Sequence, residues 1–140
     1  MQYRRILAIA LCLGLVTVTA SVSAGRRVIE PVKIFDEYDT GSGKPTGAGR
    51  AQGALADARA SSDAIQSIGC WTGQDFGICY ATDATGKYRG CATHDADQLA
   101  VLRSMTAESM LYFNWNPYGT CTEVWVENAS HYKPGATTGD

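Results

Sequence analysis

The chain has two histidines, and they are the natural starting points for chemistry at neutral pH. His94 stands directly before Asp95, an arrangement that offers a general acid or base beside a carboxylate. The same pair fits the start of a helix, with Asp95 as the cap and His94 as its exposed neighbour. His131 lies in Ser130-His131-Tyr132 and has no carboxylate at metal-ligand spacing. Two histidines without such acids do not make a zinc site, so neither a metal nor another cofactor is expected.

A second group is Glu123, Trp125 and Glu127. On a strand these three share one face, because side chains alternate with a period of two. The two carboxylates are then about 13 Å apart, at ~3.3 Å per residue. That is too wide for the paired acids of either glycosidase geometry. An aromatic ring framed by polar groups on a sheet face suits stacking on a sugar or docking of a protein. Tyr118, in a turn, is the natural companion of Trp125, and the expected binding residues are therefore Trp125, Tyr118, Glu123 and Glu127. The catalytic candidates are His94, Asp95 and His131.

Four cysteines, Cys70, Cys79, Cys91 and Cys121, are spread through the denser half of the chain. No Cys-x-x-Cys pair is present, and an even count fits two disulfides in an oxidising compartment. Four cysteines allow three pairings. Cys79–Cys91 across a hairpin, with Cys70–Cys121 tying distant strands, is favoured; Cys70–Cys79 is the main rival.

Export is expected from the first 24 residues. Arg4 and Arg5 precede an apolar run from Ile6 to Val18, and Val22-Ser23-Ala24 has the small residues of a cleavage site. The run is shorter than the ~20 residues of a spanning helix, so no transmembrane segment is expected after cleavage, and Cys12 would leave with the signal. The localisation implied is secreted or periplasmic. Cleavage removes two arginines and no acid, taking the formal charge from −2 to −4. An acidic chain without a basic patch argues against nucleic acid as a partner.

The remainder divides by composition. Residues 25–63 read as a flexible N-terminal arm and linker, because residues 40–53 hold five glycines and a proline. Ala54 to Ser62 fits either a turn or two of helix or an arm laid on the domain. Residues 64–134 form the expected domain, and 135–140 a polar tail. Within the domain, strands are expected at Ala64–Trp71, Phe76–Thr82, Lys87–Thr93, Ser109–Trp115 and Thr120–Asn128. Turns at Asp83–Gly86 and Asn116–Gly119 close two hairpins. Asp95 with Gln98 reads as a capping box for a helix with a Leu99, Leu102, Met105 stripe that ends near Thr106. On the last strand Val124 and Val126 face one way, while Cys121, Glu123, Trp125 and Glu127 face the other. The class is α+β: a small antiparallel sheet of two hairpins, one helix across a face, and disulfide staples.

Ile68-Gly69-Cys70, Cys79 to Asp83, Cys91, Tyr112 to Trp115, Gly119 to Thr122 and Val126 to Asn128 form a frame over about half of the chain. The frame resembles a group of uncharacterised small secreted bacterial proteins with a four-cysteine C-terminal domain. The resemblance implies export and disulfides, and no activity. The leading reading is a secreted non-catalytic binding module for a glycan or a protein. The alternative is a small secreted hydrolase or toxin that uses His94 or His131 with a nearby carboxylate.

Overall fold

The computed structural model describes residues 27–132. The expected signal segment, with Cys12, and the 135–140 tail lie outside them. The order is β1 (Lys33–Tyr38), β2 (Pro45–Ala54), α1 (Leu55–Arg59), β3 (Ser67–Thr72), β4 (Gly77–Thr82), β5 (Tyr88–Thr93), α2 (Ala96–Arg103), β6 (Met110–Trp115) and β7 (Cys121–Glu127). A short 3-10 helix, Ser130–Tyr132, follows. The class is α+β, with seven strands in two antiparallel sheets. The first sheet runs β1-β2-β6-β7 and the second β3-β4-β5.

The five expected strands and both turns are present. Gly86 and Gly119 take positive φ in those turns, where a side chain would be strained. Asp95 caps α2, accepting from the amides of Asp97 and Gln98. The capping box is incomplete. The Asp95 amide bonds to the Thr93 hydroxyl, and the Gln98 side chain turns into the protein toward the Cys121 carbonyl, leaving its Oε1 unpartnered. The helix stops at Arg103; Leu99 and Leu102 are buried, and Met105 and Val101 are partly so.

The linker expectation fails at residues 45–54. That segment is β2, paired on one side to β1 and on the other to β6. Its glycines are packing sites. A Cβ on Gly49 would fall 2.6 Å from the Trp115 ring and 2.4 Å from the Phe35 carbonyl oxygen. The Trp115 indole N–H donates to the Gly47 carbonyl at 3.1 Å. A Cβ on Gly53 would meet Val32 at 3.0 Å. The boundary placed at residue 64 falls with the linker, since the arm supplies two strands of the first sheet.

One face of each sheet looks inward. Ile34, Ala51, Phe113 and Val124 lie in one row of the first sheet, with Leu111, Trp115 and Cys121 on the same face. The second sheet presents Ile68, Cys79, Ala81 and Cys91. Leu102 of α2 and Ala58 of α1 complete one core. Asp36 on β1 reaches across to Arg89 on β5 through two 2.9 Å bonds and to Lys87 at 2.9 Å.

The disulfides are Cys70–Cys79 and Cys91–Cys121, which replaces the favoured pairing with its rival. All three of Cys70, Cys79 and Cys91 stand in one row of the second sheet. A residue of a central strand turns its N–H and C=O toward one neighbour only. The 4.1 Å Cα separation of Cys70 and Cys79 is that of the close, non-hydrogen-bonded pairing. Cys79 is thus in the wider, hydrogen-bonded pairing with Cys91, and Cys91 is left to join Cys121 on the first sheet.

Candidate functional site

The open face of the first sheet is built by strict cross-strand register. Phe35, Arg50, Asn114 and Glu123 form one row across β1, β2, β6 and β7. Lys33, Gln52, Tyr112 and Trp125 form the next, and Met110 pairs with Glu127 beyond them. These positions alternate with the core residues, so burying one set exposes the other. Trp125 is 66% exposed, while Val124 beside it is 7%.

Alternation is broken at one point. Asn114 pairs with Glu123, but Trp115 pairs with Cys121, so Thr122 is an extra residue on β7. This bulge turns Cys121 inward, where strict alternation had placed it with Trp125. The bulge lets one strand carry a core disulfide at its start and an open aromatic face at its centre.

Hydrogen bonds hold the face in place. The Trp125 indole N–H donates to Glu123 Oε1 at 2.9 Å, and Asn114 Nδ2 donates to Glu123 Oε2 at 2.7 Å. Glu127 Oε2 accepts from the Tyr132 hydroxyl at 3.1 Å, with the Met110 sulfur 3.0 Å from the same hydroxyl. Burial and the Glu127 carboxylate push the Tyr132 phenol up to about 12, so it remains a donor across the physiological range. The Arg50 guanidinium stacks 4.9 Å above the Phe35 ring. Met110, Tyr112, Glu123, Trp125 and Glu127 line a groove of about 350 Å³.

Of the expected binding residues, Glu123, Trp125 and Glu127 come together here. Tyr118 does not join them: it sits 91% exposed at the tip of the β6–β7 turn and does not line the groove. The sequence reading missed Phe35, Arg50, Tyr112 and Asn114. Tyr112 and Asn114 were legible as the outward positions of β6, whereas Phe35 and Arg50 required β1 and β2. The outward face of the second sheet carries another aromatic set, with Trp71 packed edge-on against Phe76 at 5.0 Å and Tyr88 exposed, but with no carboxylate in its rows.

The catalytic candidates do not converge. His94 Nδ1 lies 3.0 Å from the Asp75 carbonyl oxygen, Asp95 is occupied as the α2 cap, and His131 Nε2 lies 3.8 Å from Glu127 Oε1. Among the described residues no group of three metal-ligating side chains occurs, and no helix is long and apolar enough to cross a membrane. Compared with protein-family models, curated proteins and solved structures, the chain has no match.

Proposed function

We propose that the chain is a secreted, non-catalytic binding module whose contact surface is the open face of the first sheet, centred on Trp125. The observation that carries this reading is the exposure of Trp125 while its indole N–H is tied to Glu123. An ordered, exposed indole loses little conformational freedom on contact and offers a large flat surface. Tyr112 across the strand, with Asn114, Gln52 and the carboxylates around it, supplies the polar partners that fix orientation. The partner on this reading is a glycan or a protein surface. Two disulfides suit an oxidising compartment, in keeping with export. The hydrolase or toxin alternative has less support, because His94 and His131 engage different partners.

Tryptophan fluorescence of the purified protein, titrated with neutral and charged oligosaccharides and with extended peptides, tests the reading. A ligand is expected whose affinity falls about ten-fold or more in Trp125→Ala, with the fold unchanged by circular dichroism. Ligands that bind equally well to Trp125→Ala, or turnover that depends on His94 or His131, would overturn it.

A further inference from the structure

β7 is the last strand of its sheet; among the described residues its outer edge meets another strand only at the Ala92–Thr120 bridge, just before β7 begins. Such an edge presents free N–H and C=O groups at every second residue. Outside the β6–β7 ladder, no hydrogen bond among the described residues reaches the main chain of Thr122 to Glu127. Sheet edges are commonly protected by lysine, proline or a covering element. β7 has neither lysine nor proline, and α2 flanks it without a hydrogen bond to the main chain of Thr122 to Glu127.

The two sides of this edge differ. Beside the edge, Val101 of α2 with the inward-facing Val124 and Val126, and with Trp125, lines an open groove of about 230 Å³. On the outward side stand Glu123, Trp125 and Glu127. Among the described residues, neither carboxylate has a lysine or arginine within 4.0 Å, and the weak pairing of Glu127 is to His131. A second copy is a poor occupant. Antiparallel pairing about Trp125 would set Glu123 against Glu127 of the other chain twice, and like charges directly opposite are destabilising.

We propose that the free edge of β7 receives an extended segment of a protein partner as a fifth strand of this sheet. The segment carries Lys or Arg at the positions facing Glu123 and Glu127, and apolar residues between them that enter the Val101, Val124, Val126 groove. This inference rests on the reading that Trp125 marks the contact surface, and narrows its partner to a basic, alternating strand. Main-chain bonds would give the affinity and the alternate side chains the specificity.

The test uses three synthetic peptides on the full protein: one alternating Lys with Val, one alternating Glu with Val, and the Lys peptide N-methylated on the amides that would face β7. The Lys peptide is expected to shift the Trp125 emission and slow amide exchange in Thr122 to Glu127. The Glu peptide should bind about ten-fold more weakly, and Glu123→Lys with Glu127→Lys should reverse that preference. N-methylation should abolish binding. Equal binding of the methylated peptide, absence of charge preference, no binding of any peptide, or self-association through Trp125 in sedimentation would each overturn the proposal. Trp125-dependent binding of a neutral oligosaccharide without peptide binding would remove the added strand and leave the Trp125 surface standing. Loss of every Trp125-dependent ligand would remove both.

Discussion

The two faces of the first sheet are built from the same four strands and obey opposite rules. The inward face carries Ala51, Leu111, Phe113, Trp115 and Val124, all buried, and Gly49, where a side chain would collide with the Trp115 indole. The outward face carries Phe35, Arg50, Tyr112, Trp125 and Glu123, joined by hydrogen bonds and stacking but open to solvent. Aromatic residues occur on both. Position in the alternation, and not residue type, separates a core tryptophan from a surface one.

The comparison is broken most severely by Val124→Asp, which buries an unpaired charge on the inward face. Its cost is expected to take most of the ~5–15 kcal/mol that keeps a domain of this kind folded. Loss of the cooperative thermal transition is the expected result, and a variant that still melts cooperatively would place Val124 at the surface.

Removing a disulfide should cost less, and unequally. Cys91–Cys121 closes a span of 30 residues and joins the two sheets, whereas Cys70–Cys79 closes a span of 9 within one sheet. Loop-closure entropy gives about 3.6 and 2.6 kcal/mol respectively. Denaturant unfolding of the two double-serine variants measures the difference, and the reverse order would show that sheet-to-sheet docking does not need the longer bridge.

Gly49→Ala tests whether the glycines of β2 serve packing. The added methyl meets the Trp115 ring and the Phe35 carbonyl, and overpacking of that kind costs about 1–3 kcal/mol. The same change at Gly43, where a Cβ would meet nothing within 4 Å, probes only its positive φ. A stability loss at Gly43 that exceeds the loss at Gly49 would contradict the packing role.

Acid should weaken the bridge by which Asp36 ties the first sheet to Arg89 and Lys87. Burial raises the Asp36 carboxyl, but hydrogen bonds and charge from Arg89 and Lys87 outweigh it and hold the group below the ordinary range. A depressed carboxylate contributes stability above its unfolded value, near 3.9, and loses it as pH falls through the folded value. Asp63, held at about 2 by the Gln66 and Ile65 amides, adds a loss of the same sign at its turn. Asp36→Asn should therefore flatten only part of the acid limb in unfolding measured from about pH 5 to pH 2. An acid limb unchanged by Asp36→Asn would show that the inter-sheet bridge carries none of it.

The smallest effect on stability belongs to Trp125→Ala. It removes a cross-strand contact with Tyr112 and a surface bond to Glu123, for less than about 1 kcal/mol. A larger loss, or a blue-shifted and unquenchable Trp125 emission, would move Trp125 from the open face into a covered one.

Local chemistry was written plainly in the sequence. Period-two alternation placed β6 and the centre of β7, and put Val124 inside and Trp125 outside. Asn-Pro-Tyr-Gly and Asp-Ala-Thr-Gly set their turns, and Asp95 capped its helix, because each depends on residues within a few positions of one another. What tertiary structure alone decided involved partners distant in sequence. The glycine-rich segment became a central strand because Trp115 and Val32 need bare backbone to lie against, and nothing within residues 40–53 announces them. The bulge at Thr122 turned Cys121 into the core, and the row shared by three cysteines resolved through which neighbour the Cys79 amide faces. The strands brought in by the N-terminal segment also widened the Trp125 surface from one hairpin to a four-stranded face. Composition reports the flexibility of an isolated segment, whereas strand pairing depends on partners supplied from elsewhere in the chain.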